Sequence, residues 1–221
     1  MKKVELMLFD LDGTLIDSRA DLARSVNLML ADLNRPHLSE EKVAGFVGDG
    51  VRVLTYRCLT ATDANQQPPD QQIHEKAIEL MHSHYAEQMY VATTLYAHVK
   101  ETLQHFKDKR KAVVTSKEER FTHLILEHFG IDDDFDCIIG GDTVSARKPN
   151  PLPVITAIHK LGGTADQAVM VGDSENDILA GRDAGAATCG VSFGFRTAEE
   201  LKEYAPDVLI DSFDKLKEQY F

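Results

Sequence analysis

Asp10 and Asp12 stand two residues apart where an apolar run ends, in Phe9-Asp10-Leu11-Asp12-Gly13-Thr14. Along a strand, residues i and i+2 share a side, so both carboxylates emerge together. Held that close they repel, and either one takes up a proton or a cation sits between them. Gly13 lets the chain turn tightly under a ligand. Thr115 and Ser116 close the apolar run 112–116 (AVVTS). They offer hydroxyls and backbone N–H groups near a helix start, a favourable anion site. Lys148 supplies a cation in RKPNP (147–151), and GDSEND (172–177) adds Asp173 and Asp177 at a strand-to-helix turn. A hard cation needs clustered oxygen ligands, and Mg2+ takes one or two carboxylates with waters and substrate phosphate. Phosphoryl transfer needs a nucleophile, a metal and positive groups around the phosphoryl oxygens. Singly, these residues read as turn formers, helix caps and a solvated lysine. Together they point to one site.

The elements that must position them follow from hydrophobic pattern. Short apolar runs at 4–9, 112–116, 136–141, 168–173, 187–192 and 207–210 read as strands. Helical text separates the later ones, at 98–108, 118–129, 151–161, 174–184 and 197–204. Strands alternating with helices predict a parallel sheet covered on both faces, an α/β doubly wound, Rossmann-like core. In such sheets ligands sit beyond the carboxyl ends of the strands, and every group named above falls there. Residues 18–91 lack a convincing strand. Leu22, Val26, Met29 and Leu33 recur at helical spacing with Ser18 as N-cap, and Ser39 caps a short helix. A long helix near 71–89 carries Ile73, Ala77, Leu80, Met81 and Tyr85 on one stripe. This block reads as an all-helical cap inserted after strand one, leaving 1–17 and 92–221 as the core.

Composition narrows the partners. The 221 residues carry 36 acidic and 24 basic side chains, a formal charge of −12, which disfavours broad contact with nucleic acid or anionic membrane. An anionic small substrate stays compatible where the pocket supplies its own cations. No apolar stretch approaches a membrane span or a secretory signal, so a cytoplasmic protein is expected. Cys58, Cys137 and Cys189 form no C-x-x-C pair and read as buried thiols. His82 and His84 face different ways on a helix, and DDDFD (132–136) reads as a solvated turn.

The order D-x-D-G-T, strand-end Thr/Ser, Lys before Pro, and G-D-x-x-x-D resembles the haloacid dehalogenase superfamily over nearly the whole chain. FVGDGVRVLTYRCL (46–59), IGGDTVSARKPNP (139–151) and VGDSENDILAGRDAG (171–185) are similar to its phosphoglycolate phosphatase branch. Two stretches depart from that branch. It usually reads Tyr-Pro-Gly-Val where this chain has YAHV (96–99), and often Thr-Asn-Lys where this chain has Thr115-Ser116-Lys117.

The resemblance implies a Mg2+-dependent phosphatase acting on a small phosphate monoester, 2-phosphoglycolate first, through an aspartyl phosphate. Asp10 would be the nucleophile and Asp12 the acid and then the base. The metal would be held by the Asp10 carboxylate, the Asp12 carbonyl and Asp173. Asp177 would serve the metal through water or by fixing Lys148. Thr115, Ser116 and Lys148 would bind phosphoryl oxygens. The cap loop with Gly48, Gly50 and Arg52 would select the leaving group, with Arg57 as the fallback cation. A monomer or homodimer is expected. Among rivals, dehalogenases lack the second carboxylate, ion-pumping ATPases have membrane spans, and a phosphonatase would need Lys42 or Lys76 as a Schiff-base lysine. A sugar-phosphate mutase shares the motifs and a helical cap. A phospho-receiver module would stop near one equivalent of phosphate rather than turn over.

Overall fold

The computed structural model describes residues 3–221, so Met1 and Lys2, assigned above to the core, lie outside the described residues. Six strands form one sheet in the order Cys137–Ile139, Arg110–Val114, Leu6–Phe9, Ala168–Gly172, Ala187–Val191, Val208–Ile210. Every pairing in it is parallel. Leu6–Phe9, Ala168–Gly172 and Ala187–Val191 are buried at every residue. That two-sided burial is why they read as continuous apolar runs rather than as alternating ones.

Successive residues of Leu6–Phe9 serve opposite faces. Leu6 and Leu8 join Ala112, Val114 and Met170 in a core with Val154, Ala157 and Ile158 of the helix Leu152–Lys160. Phe9 meets Phe213 and Phe135 at ring centroid separations of 5.8 and 6.2 Å. From Leu6–Phe9 the sheet grows outward in one direction through Arg110–Val114 and Cys137–Ile139, then in the other from Ala168–Gly172. This reversal of strand order makes the end of Leu6–Phe9 the topological switch point, where doubly wound sheets hold their ligands.

The chain divides into two compact units: Ser18–Thr94, and the residues up to Asp17 together with Leu95–Phe221. The first contains the helices Arg19–Asp32, Glu40–Ala44, Val51–Ala61 and Gln71–Gln88. Asp70 caps the last of these, accepting from the N–H groups of Gln72 and Ile73 at 2.8 and 3.3 Å. Ser39 caps Glu40–Ala44 through the N–H of Lys42. Ser18 occupies the N-cap position of Arg19–Asp32 but makes no side-chain capping bond to that helix.

The buried stripe of Gln71–Gln88 is Ala77, Ile78, Met81 and Tyr85, while Ile73 in the exposed first turn lies outside it. Leu30 rather than Leu33 completes the buried face of Arg19–Asp32, since that helix ends at Asp32. Two-residue strands Ile16–Asp17 and Thr94–Leu95 pair as a separate ribbon that hydrophobic pattern did not predict, being too short to carry a period. Among the described residues no helix is long and apolar enough to cross a membrane. The three cysteines are free thiols.

Candidate active site

Four loops leaving the carboxyl ends of the strands supply the site. Asp10 follows Phe9 directly, and its N–H still donates to the Val171 carbonyl at 2.9 Å, so the neighbouring strand fixes where its carboxylate starts. The chain then doubles back. The Leu11 carbonyl accepts from the N–H groups of Thr14, Leu15 and Ile16, and Gly13 sits at φ +87°. A side chain at that left-handed angle is disfavoured, and a Cβ on Gly13 would overlap the Asp173 carboxylate. Gly172 likewise leaves room for Asp177, whose Cγ lies only 2.1 Å from where a Cβ would be.

Asp10, Asp173 and Asp177 come together, each buried, with one oxygen from each within 4.8 Å of the others. Lys148 Nζ reaches into this group, 2.9 Å from Asp10 Oδ1 and 2.5 Å from Asp177 Oδ1, and also donates to the Val114 carbonyl at 2.6 Å. Burial pushes the Asp10 carboxyl up to about 7, Lys148 opposing and Asp177 and Asp12 adding to the rise. Asp173 is driven well above the usual carboxylate range by burial first, then by Asp10 and Asp177, against the N–H of Phe195. For Lys148 burial pulls downward, but the attraction of Asp10 and Asp177 outweighs it and the ammonium is held above its ordinary value.

Three buried carboxylates around one ammonium leave an excess of negative charge. Such a group needs protons or a further cation. All its donors are hard carboxylate oxygens and glycines clear the space beside them, so the residues fit a divalent cation of the Mg2+ type. Within the group Asp177 is the most committed. Its Oδ1 takes Lys148 and its Oδ2 accepts from the N–H and Oγ of Ser174 at 3.0 and 2.6 Å, closing a capping box on the helix Glu175–Asp183.

Thr115 is buried at the end of Arg110–Val114, its N–H on the Ile139 carbonyl and its Oγ1 accepting from the N–H of Lys117. Ser116 Oγ is buried without a hydrogen-bond partner. Lys117, which spacing did not single out, places Nζ 3.0 Å from Asp12 Oδ1, with both side chains about nine-tenths buried. The loop 192–196 is a second addition. The N–H of Phe195 donates to Asp173 Oδ2 at 2.7 Å, and Arg196 Nε pairs with Glu175 Oε2 at 3.2 Å. A backbone donor leaves no mark on residue type, so in 192–196 only Gly194 bears on the contact through its side chain, or lack of one.

Gly48, Gly50 and Arg52 belong to the helical unit. Gly48 and Gly50 take φ of +130° and +85°, angles that favour glycine. Arg52 is exposed and spends both terminal nitrogens on Glu75, at 2.6 and 3.1 Å. Arg57 binds Asp49 at 2.6 Å and the Phe46 carbonyl at 2.9 Å, tying down the glycine loop.

Comparison with known proteins agrees with this architecture. Residues 7–191 match the model of the haloacid dehalogenase-like hydrolase family, and the chain belongs to that family. Among relatives, it is 37% identical to a phosphoglycolate phosphatase of Colwellia psychrerythraea, over 98% of this chain and 96% of that protein. It is 39% identical to a phosphoglycolate phosphatase of Haemophilus influenzae, over 96% of each. A crystal structure of a predicted phosphoglycolate phosphatase from Haemophilus somnus superposes with a TM-score of 0.94 at 34% identity, covering 99% of both chains.

Proposed function

We propose that this hydrolase is a phosphatase of small phosphate monoesters, with 2-phosphoglycolate as its substrate and an aspartyl phosphate as its intermediate. The observation that carries the reading is the Asp10 carboxylate, buried at the switch point between an ammonium and two further carboxylates. The named relatives support the substrate.

In this reading Asp10 Oδ attacks phosphorus while the bond to the leaving oxygen breaks, and Asp12 hands that oxygen its proton. Asp12 then takes a proton from water as the water attacks phosphorus and the Asp10 carboxylate is released. Asp10, Asp173 and the Asp12 carbonyl would hold Mg2+, with Asp177 behind them fixing Lys148. When bound, the ion screens the acidic group from the phosphate dianion. Lys148, Thr115 and Ser116 bind phosphoryl oxygens. The helical unit, with Gly48, Gly50 and Arg52, recognises the leaving group.

A panel of small phosphate esters assayed with Mg2+ tests this. Phosphoglycolate should show kcat/KM at least tenfold above glycerol phosphates and hexose phosphates, with continuous phosphate release. Preference for a hexose phosphate, or isomerisation of one without phosphate release, would replace the reading with another substrate or a mutase.

A further inference from the structure

We propose that residues 192–196 form a positioning loop for the metal centre, in which Gly194 and the backbone N–H of Phe195 lock the orientation of the Asp173 carboxylate. This rests on the reading of Asp173 as a metal ligand. The terminal torsion of an aspartate is broad, so a carboxylate with nothing to fix it samples many orientations and weakens any ion site it joins. Here the N–H of Phe195 donates to Asp173 Oδ2 at 2.7 Å, a charge-assisted bond that commits one oxygen to the loop and leaves the other for an ion. The loop reaches that position because residue 194 has no side chain. A Cβ there would overlap both Asp173 Cβ and the Gly13 carbonyl, so Asp173 is clamped between Gly13 and Gly194.

The loop is itself anchored on both sides of this contact. Ser192 donates its N–H and Oγ to the Ile210 carbonyl at 2.9 and 3.2 Å. Phe193 packs edge-on against Tyr96 at 4.9 Å between ring centroids. Arg196 Nε holds Glu175 Oε2 at 3.2 Å, and Glu175 opens the helix that begins two residues after Asp173. The Gly194–Phe195 peptide therefore arrives at Asp173 on a frame tied to three separate elements. Outer partners of metal ligands commonly carry about 10–100-fold in metal affinity.

The test is binding of Mn2+, followed by the electron paramagnetic resonance of the unbound ion, in the full-length protein and three variants. Asp173→Asn should lose tight binding. Gly194→Ala should weaken it about 10–100-fold, and Arg196→Ala, which loosens the frame without adding volume, should weaken it by a smaller factor. Saturating Mg2+ should return kcat of Arg196→Ala close to that of the unaltered protein, because its loss lies in metal affinity. Where the unaltered protein and Asp173→Asn bind Mn2+ alike, the reading of the centre fails and the inference goes with it. Where Asp173→Asn loses binding while Gly194→Ala and Arg196→Ala keep it, the positioning role alone is overturned. Should Gly194→Ala fail to fold, Arg196→Ala decides.

Discussion

Lys148 Nζ stands 2.9 Å from Asp10 Oδ1, and both side chains are almost wholly removed from water. The same ammonium serves Asp177 and the Val114 carbonyl, so it neutralises part of the acidic group and ties the strand Arg110–Val114 and the helix Glu175–Asp183 to the loop of Asp10. Removing one partner of a buried pair leaves the other charge uncompensated, which costs roughly 3–5 kcal/mol. Lys148→Met should therefore lower the urea midpoint strongly and reduce kcat at least about 100-fold, the scale of losing one preorganised electrostatic contact. Lys148→Arg should not rescue, since a planar fork cannot meet three acceptors arranged around a point charge. A fully stable, active Lys148→Met would show that the acidic group does not depend on this cation.

The acidic group also fixes how stability responds to pH. Asp10 is raised to about 7 from an ordinary 3.8, burial being the main cause, and Asp173 moves the same way. Between those pH values the folded state holds protons that the unfolded chain has released. Stability without metal thus falls as pH rises through this window, because the folded state binds more protons. A bound cation competes with those protons. Mg2+ should raise Tm clearly at pH 8 and only slightly at pH 5.5, measured by scanning fluorimetry against a chelated control. Equal shifts at both pH values would place the ion elsewhere.

A different carboxylate holds the helical unit together. Asp21 is buried in the first turn of Arg19–Asp32 and accepts from the N–H groups of Ala92 and Thr93 and from Thr93 Oγ1, at 2.7–3.0 Å. This joins the two ends of the unit, 71 residues apart in sequence. Asp21→Ala leaves the buried donors of Thr93 unpaired, at about 1–3 kcal/mol for each. Urea unfolding should show a loss of at least that size, and the Thr93 amide should exchange faster. Unchanged stability would mean that water replaces the carboxylate.

Much of this architecture is legible in the sequence, and the reason is local. Asp10, Thr115 and Asp173 each follow a strand whose two-sided burial writes a continuous apolar run, so their position at one sheet edge follows from counting strands. Lys148 stands beside prolines in a loop at the same edge. The contacts of Asp21, Lys117 and Phe195 were not visible because they have no period. Asp21 resembles any acid in a helix's first turn, Lys117 any lysine after a strand, and Phe195 acts through its backbone. Asp177 was legible as a carboxylate, but its double commitment to Lys148 and Ser174 appears only in three dimensions.

Arg52 has a competing engagement. Its guanidinium grips Glu75 in an exposed bidentate pair, and exposed pairs are weak enough to be exchanged. If it serves the substrate it must leave Glu75. Arg52→Ala should raise KM for phosphoglycolate and leave p-nitrophenyl phosphate unaffected, while Glu75→Gln should lower the first and spare the second. Identical constants in both variants would make the pair a surface feature of two helices.

The two aspartates of the opening motif should fail in different ways. Asp10→Asn removes the nucleophile, so no phosphoenzyme should form with any substrate. Asp12→Asn keeps the nucleophile and the backbone carbonyl but removes the proton donor and acceptor, and it leaves Lys117 facing an amide instead of a carboxylate. Phosphoglycolate releases a poor leaving group and should then barely react. p-Nitrophenolate departs without a proton, so its release should partly survive. Hydrolysis of the phosphoenzyme still needs a base for water, and losing that help costs roughly 10²–10⁴-fold. Rapid-quench measurements on Asp12→Asn should therefore show a burst of p-nitrophenol near one equivalent, with phosphate retained on Asp10. Two variants that behave alike, with no burst and no trapped intermediate, would refute this division of labour. Near-normal turnover by Asp10→Asn would remove the covalent route itself, and with it the reason for burying Asp10 against Lys148.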